Sequence, residues 1–318
     1  MLPWFETVLN SISKEVAEYN LPNAWLILLP KGLEPDELLN DIEMLILCPR
    51  RNAGKPCKNC RSCRLVQIGN HPDLIPIDPS GKSNRIGIDA VRTNIQDALT
   101  TPFLGLQKLV RINQAECLNE SATNALLKIV EEPSQRTVFL LVSKFAGKVL
   151  PTLFSRCRKL YISLPNKRER LDLAKNLSIK PNIIEDGFYL LGEPMVGVNN
   201  TKRLEFARST CKMLLSIARG ENPEPIIAKL IRTEPSLVLV VLSRLCEASI
   251  RMSLGIKNDD DLNFLSDYPT HIPKATRLFS LYDRINFYRE SLLKGIALNT
   301  SLIYSHVLAI WSQCWRPY

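Results

Sequence analysis

The 318-residue chain lacks any apolar run long enough to cross a lipid bilayer. Its apolar runs AWLILL, from Ala24, and LVLVVL, from Leu237, are far shorter than the roughly 20 residues that a transmembrane helix needs. The N-terminal segment also lacks a basic stretch followed by an apolar one, so we expect no secretory signal. These absences predict a cytoplasmic protein without membrane contact. The nine cysteines would then lie in a reducing compartment, where disulfides are rare.

Acidic residues are outnumbered by basic ones. The chain has 41 Lys and Arg against 32 Asp and Glu, a formal net charge of +9 at pH 7. Such a surface is compatible with nucleic acid or another acidic partner and does not select between them. The hydrophobic content of 45% suits a soluble protein with a packed core, and the length fits two or three domains.

A phosphate loop is missing at the place where an α/β ATPase would carry it. After the first predicted strand the sequence reads PKGLEPDELL, from Pro30, instead of G-x-x-x-x-G-K-[ST]. The stretch has one glycine. Glu34 and Asp36 stand where phosphate would need backbone amides and a lysine, and their carboxylates would repel a nucleotide.

A second stretch, PSGKSNR (79–85), contains Gly81-Lys82-Ser83, which resembles the end of a phosphate loop. The first glycine of that motif would fall on Pro76, and the next predicted helix begins only at Asp89, so we interpret the stretch as a solvated turn. The acids that hold Mg²⁺ are missing too, because strand KLVRIN (108–113) runs into Asn113-Gln114-Ala115-Glu116. We interpret Glu116 as a helix-entry charge in preference to a catalytic base.

Short β-type runs alternate with helical patterns as far as residue 163, which predicts a parallel sheet covered by helices on both faces. The predicted strands are 24–29, 73–78, 108–113, 137–143 and 159–162. The predicted helices are 36–47, 89–99 with Asp89 as cap, 119–132 with Asn119 as N-cap, and 149–154. After Pro165 the spacing is helical, over 167–177, 182–191, 201–219 and from about 226 to the end. The acidic stretch 258–269 is interpreted as a loop or weak helix.

Four cysteines follow a metal-binding spacing, C-x8-C-x2-C-x2-C, at Cys48, Cys57, Cys60 and Cys63. Four thiolates suit tetrahedral Zn²⁺ and leave no coordination position for water or substrate, so the predicted site is structural. Its net charge of −2 can be offset by basic residues between the ligands: Arg50, Arg51, Lys55, Lys58 and Arg61. An iron–sulfur cluster and four unrelated cysteines are the alternatives. The scattered cysteines elsewhere are interpreted as packed side chains.

The segments HPDLIPID, IGIDAVRTNI, LNESATNALLKIVEEPSQRTVFLLVS and LPTLFSRCRKL resemble the delta-prime subunit family of the bacterial DNA polymerase III clamp loader, which belongs to the AAA+ ATPases. The resemblance is dense over residues 68–164. It implies an AAA+ RecA-like domain over 1–164 that contains the zinc module (48–63), a small helical lid domain over 165–200, and a helical collar domain over 201–318 that joins five subunits in a ring.

The resemblance also implies a function in DNA replication. The chain would join gamma/tau and delta subunits in a hetero-pentameric ring that loads the sliding clamp onto primed DNA, as part of a DNA-directed DNA polymerase (a nucleotidyltransferase as a complex). Delta-prime subunits commonly lack a working nucleotide site. This chain fits that pattern in its missing phosphate loop, in Asn113-Gln114, and in Val196, which stands in GEPMVG where active relatives place a sensing arginine. We therefore expect no intrinsic ATPase activity and no functional ATP site.

Within the SRC triplet, the resemblance makes Arg156 an arginine finger, with Ser155 and Cys157 supporting its backbone. It would reach in trans to the γ-phosphate of ATP held by a gamma/tau subunit, since guanidinium is always charged and binds phosphate oxygens bidentately. The structural alternative is an arginine that caps the helix ending at Phe154. Two other functions compete: an active ATPase of gamma/tau type, and a free-standing zinc-dependent nucleic-acid binder. The second would need aromatic residues for base stacking, and the four-cysteine loop has none.

Overall fold

The structure is a computed structural model. It describes residues 2–30, 32–80, 85–132, 136–231, 234–256, 269, 271–293 and 298–316. Its contacts divide the chain into two compact units, Met1–Asn166 and Lys167–Tyr318. Three features of the sequence lie outside the described residues: Gly81-Lys82-Ser83, Lys31 and nearly all of the acidic stretch 258–269.

The first unit contains a five-stranded, fully parallel sheet in the order β2-β3-β4-β1-β5. Parallel strands need crossover connections, and the helices between them supply these. Strand β4 is buried along its whole length, as expected of a continuous apolar run in a covered sheet. The strands are β1 (Ala24–Leu28), β2 (Leu74–Ile77), β3 (Lys108–Ile112), β4 (Thr137–Ser143) and β5 (Arg158–Tyr161).

In the described residues, six helices accompany the sheet. The second is exposed at Asp36 and Glu37 in its first turn and buried at every position from Ile42 to Leu47, so its C-terminal half is covered on all sides. The fifth begins after Asn119, whose side-chain oxygen accepts a hydrogen bond from the amide of Ala122 at 2.7 Å. The helices are α1 (Glu6–Ala17), α2 (Asp36–Leu47), α3 (Arg61–Gln67), α4 (Ile88–Ala98), α5 (Glu120–Glu131) and α6 (Pro151–Arg156), and 3₁₀ turns cover Pro3–Phe5, Ala115–Cys117 and Ala146–Lys148.

In the described residues of the second unit, all regular secondary structure is helical. One apolar core extends through its helices, and Trp311 is fully buried there, with its indole nitrogen donating to the carbonyl of Leu214 at 2.8 Å. Its helices are α7 (Lys167–Asn176), α8 (Pro181–Leu191), α9 (Val196–Asn199), α10 (Thr201–Ala218), α11 (Pro223–Leu230), α12 (Pro235–Ser253), α13 (Ala275–Leu293) and α14 (Thr300–Trp315). Leu190 of the predicted lid and Leu204 of the predicted collar belong to that same core, and the lid–collar boundary stays a prediction.

The predicted fold class is confirmed: a parallel α/β unit precedes an all-helical one. Two details were wrong. Helix α4 begins at Ile88 with Gly87 at its N-cap position, so Asp89 lies in the first turn and is not the cap. Helix α6 begins at Pro151 and ends at Arg156, two residues beyond the predicted end. Within the described ranges, no helix combines the length and hydropathy that crossing a bilayer requires.

Candidate metal centre and arginine site

The four cysteines of the C-x8-C-x2-C-x2-C pattern converge, with all four sulfurs within 4.8 Å of one another. Cys48 Sγ lies 3.6 Å from Cys57 Sγ and 3.9 Å from Cys60 Sγ, and Cys57 Sγ lies 4.0 Å from Cys63 Sγ. A tetrahedral zinc with Zn–S bonds of about 2.3 Å separates its sulfurs by about 3.8 Å. The cluster therefore has the dimensions of a four-thiolate metal site, and these four residues could hold a metal ion.

Backbone amides and burial act in opposite directions on the thiols of this cluster. The amide of Cys57 donates to Cys48 Sγ at 3.5 Å, and the amide of Cys63 donates to Cys60 Sγ at 3.4 Å, which makes Cys60 the N-cap of α3. The pKa of Cys57 is lowered to about 6, chiefly because the amide of Asn59 donates to its sulfur. Burial instead raises the pKa of Cys48 and of Cys63. Bound zinc would favour the thiolate at Cys48 and Cys63.

The cysteine loop is fixed to the sheet unit by hydrogen bonds that the cysteine spacing does not reveal. Ser62 Oγ donates to the carbonyl of Leu47 at 2.8 Å and lies 2.7 Å from His71 Nε2. The amide of Asp73 donates to His71 Nδ1 at 3.0 Å, so the ring is a neutral tautomer with its proton on Nε2. Burial lowers the pKa of His71, which favours the same neutral form.

Asp73 anchors the loop after α4. Its fully buried carboxylate accepts from three consecutive amides, those of Phe103, Leu104 and Gly105, at 2.5, 2.8 and 2.9 Å. Burial alone would raise the pKa of Asp73, but these donors bring it below its ordinary value. The carboxylate of Asp73 therefore stays charged. Its hydrogen bonds connect the segment that follows the cysteine loop to the segment that precedes β3.

The carboxyl edge of β1, where an ATPase would bind phosphate, carries acidic side chains. Leu33 is buried in the connection to α2. Lys144, which follows β4, donates to Glu34 at 2.8 Å. Asp36 and Glu37 occupy the first turn of α2, where a nucleotide phosphate would need the amides of the helix N-terminus. The carboxylates predicted to repel phosphate thus lie at this edge, and one of them has a lysine partner from the neighbouring strand.

Other residues singled out by the sequence occupy ordinary structural positions. Glu116 lies in a 3₁₀ turn and accepts from the amide of Lys144 at 3.3 Å. Asn113 donates through its side chain to Asp78 at 2.6 Å. Val196 is buried at the start of α9, against Gly187 of α8, where a Cβ on the glycine would lie only 2.8 Å from a valine methyl.

Arg156 is the last residue of α6, and its side chain is 41% exposed. The guanidinium forms an ion pair through Nε with Glu131, the last residue of α5. Its Nη1 donates to the carbonyl of Thr152 at 3.0 Å, an interaction of the helix-capping kind. The charge therefore lies at the surface of the sheet unit, held at two points.

The neighbours of Arg156 in the SRC triplet have different surroundings. Ser155 Oγ donates to the carbonyl of Thr152 at 3.0 Å. Cys157 is buried in the core beneath the sheet, and that burial raises the pKa of its thiol to about 11. The thiol is thus neutral near pH 7, so Cys157 is a packing residue that fixes the joint between α6 and β5, and its thiol is not primed as a nucleophile.

A family model described as "DNA polymerase III, delta subunit" matches residues 4–166. The chain is 26% identical over 315 residues to the Escherichia coli K12 protein named DNA polymerase III subunit delta', and the alignment covers 96% of this chain and 94% of that one. It is 33% identical over 201 residues to the Haemophilus influenzae protein of the same name, covering 62% and 61%. It is 36% identical over 160 residues to that of Pseudomonas aeruginosa, covering 50% and 49%.

Two solved structures from Thermotoga maritima share a distant likeness. A protein related to the gamma subunit of DNA polymerase III is 19% identical with a TM-score of 0.45, covering 98% of this chain and 99% of the other. A RuvB Holliday junction branch migration motor is 12% identical with a TM-score of 0.42, covering 96% and 85%.

Proposed function

Because this chain belongs to the DNA polymerase III delta subunit family, we propose that it is the non-hydrolysing delta-prime subunit of a clamp loader. In this proposal it occupies a hetero-pentameric ring with gamma/tau and delta subunits and helps to load the sliding clamp onto primed DNA. It contributes Arg156 in trans to an ATP molecule held by a gamma/tau subunit. The single observation that carries the proposal is a surface arginine at the end of α6 in a chain that has carboxylates where its own nucleotide phosphate would bind.

The carboxylates at the edge of β1 support the absence of ATP hydrolysis in this chain. A nucleotide phosphate there would meet Glu34, Asp36 and Glu37 in the loop and first helical turn that should supply backbone amides. Asn113 follows strand β3 at the position where Mg²⁺ would need a carboxylate. These replacements support the proposal that another subunit of the ring hydrolyses the ATP.

The position of Arg156 supports a role between subunits. A guanidinium that is partly exposed and already ordered loses little freedom when it binds a phosphate oxygen. Arginine fingers stabilise charge that develops on the transferring phosphoryl group and are worth roughly 10³–10⁵ in rate in other enzymes. The capping bond to Thr152 is compatible with this role, since it engages only one of the two terminal nitrogens.

We further propose that Cys48, Cys57, Cys60 and Cys63 bind one structural Zn²⁺. The sulfur separations support a tetrahedral thiolate site, and no fifth group is needed. When bound, zinc would tie the end of α2 to the start of α3 and would leave ATP chemistry to other residues. All nine cysteines are thiols without disulfide bonds, which suits the cytoplasmic location that we propose for the complex.

Reconstitution tests this proposal. The purified chain mixed with gamma/tau and delta subunits should elute as one assembly with a single copy of this chain, measured by native mass spectrometry. The chain alone should hydrolyse no ATP above a protein-free blank, while the ring should hydrolyse ATP when primed DNA and clamp are added. Failure to enter the ring would contradict the proposal. So would turnover by the isolated chain that disappears in Lys82→Ala, since that would identify a working phosphate loop.

A further inference from the structure

Helix α5 ends in two consecutive carboxylates, Glu131 and Glu132. The C-terminus of a helix carries partial negative charge from its unpaired carbonyls, so acidic residues are disfavoured there and basic ones are preferred. Neither the metal site nor the acidic edge of β1 involves these residues. A locally unfavourable choice of this kind indicates a second requirement on the position.

One of these two carboxylates has a specific partner. Glu131 Oε1 accepts from Nε of Arg156, across 25 residues of sequence, and the two side chains are 45% and 41% exposed. Glu132 has no ion-pair partner among the residues that the structure describes, and it is exposed. Two adjacent carboxylates therefore lie at the end of α5, and in the described residues only that of Glu131 forms an ion pair with Arg156.

In the described residues, two nitrogens of the Arg156 guanidinium have a hydrogen-bond partner and the third has none. Nε is held by Glu131, and Nη1 by the carbonyl of Thr152. Nη2 has no hydrogen-bond partner in the described part of the chain. Because the guanidinium is planar and rigid, fixing Nε and one terminal nitrogen fixes the direction in which the remaining N–H groups point.

We propose that Glu131 is a positioning residue that orients Arg156 for its approach to the phosphate of a neighbouring subunit's nucleotide. This inference rests on the proposed arginine finger and deepens it. Helix α5 packs against the core that also holds Leu153 of α6, so the carboxylate is supplied by a fixed element. Glu131 binds Nε, leaves the N–H groups of Nη2 for phosphate oxygens and lowers the number of rotamers that the arginine samples before the reaction.

The cost of this arrangement is small. A partly exposed ion pair is screened by water and by salt, so the carboxylate cancels little of the arginine's attraction for a nucleotide phosphate. Orientation, in contrast, acts directly on the rate when a group must be in place in the transition state. Loss of Glu131 should therefore lower kcat and leave the KM for ATP unchanged, which is the pattern of an interaction made only in the transition state.

The test is a double-mutant cycle in the reconstituted ring, measured as DNA-stimulated ATP hydrolysis. Glu131→Ala should lower kcat about fivefold, the factor that corresponds to the strongest exposed ion pairs, and Glu131→Gln should recover part of that loss because its amide oxygen can still accept from Nε. Glu132→Ala is the matched control and should change nothing. Glu131→Ala combined with Arg156→Ala should be no slower than Arg156→Ala alone, because Glu131 acts only through the arginine.

The outcomes separate this inference from the function on which it rests. If Arg156→Ala slows the ring and Glu131→Ala does not, the finger stands and the positioning role is wrong. If Glu131→Ala increases the rate, the carboxylate restrains the arginine, which overturns the proposal as well. An equal loss in Glu132→Ala, or additive losses in the double variant, would reduce Glu131 to a general structural residue. If Arg156→Ala has no effect, the proposed finger itself fails.

Discussion

Replacing Cys60 with serine isolates the contribution of the metal to the stability of the first unit. Cys60 has two roles, since its sulfur belongs to the metal cluster and also caps α3. Serine is a good N-cap residue, so Cys60→Ser keeps the cap and removes one soft ligand. We expect the ion to be lost with this ligand. Cys48 and Cys63 would then no longer be joined across a loop of about 15 residues, for which a cross-link is worth about 3 kcal/mol.

This magnitude sets the size of the observable change. In a unit of 166 residues, a loss of about 3 kcal/mol lowers Tm by about 6–12 °C. Thermal unfolding followed by circular dichroism, together with elemental analysis of chelator-free protein, measures both quantities on one sample. Cys117→Ser is the matched control, because Cys117 is a thiol outside the cluster, and it should keep one zinc per chain. Wild-type protein without zinc, or Cys60→Ser with full zinc and an unchanged Tm, would refute the reasoning.

Three further changes test the packing around this site. Asp73→Asn should destabilise the chain by roughly 2–5 kcal/mol in urea unfolding, because its amide group opposes buried donors, while the exposed Asp78→Asn should cost less than about 0.5 kcal/mol. Burial lowers the pKa of His71, so below about pH 6.5 the unfolded chain binds a proton at this residue that the folded chain does not. The free energy of unfolding should therefore decrease as the pH is lowered, and His71→Gln should weaken that pH dependence. Gly54→Ala should lower the urea midpoint more than Gly69→Ala, because both have positive φ but only a Cβ on Gly54 meets backbone, at 2.3 Å; equal losses would contradict the packing argument.

Much of the sheet unit follows from sequence pattern alone. Strand β4 and helix α2 have the predicted bounds, because a continuous apolar run and an amphipathic repeat are strong signals. The end of α6 was misjudged because its apolar spacing stops at Phe154, whereas the helix begins at Pro151, a favoured first position, and continues through polar residues to Arg156.

The cysteine cluster could also be predicted from the sequence, whereas the ion pairs at the candidate sites could not. The cysteine cluster was predictable because its ligands lie close together in the sequence and their spacing has few other uses. The pairing of Glu131 with Arg156 and that of Glu34 with Lys144 were not, because they join residues 25 and 110 positions apart. Such pairs depend on which helices and strands become neighbours in the fold. The acidic end of α5, unfavourable for the helix by itself, was the one local signal that could have indicated the first pair.

The central claim, that Arg156 acts on another chain's nucleotide, is tested most directly by the rate of DNA-stimulated ATP hydrolysis in rings that contain Arg156→Ala. We predict normal folding, zinc content and assembly with a reduced rate of hydrolysis and clamp loading. The total loss should be smaller than the roughly 10³–10⁵ of a single finger, because only the site that faces this subunit is affected. Arg156→Lys should recover little, since an ammonium lacks the bidentate fork. Rings with Arg156→Ala that hydrolyse ATP and load clamps at the normal rate would contradict the account and leave Arg156 as a helix cap.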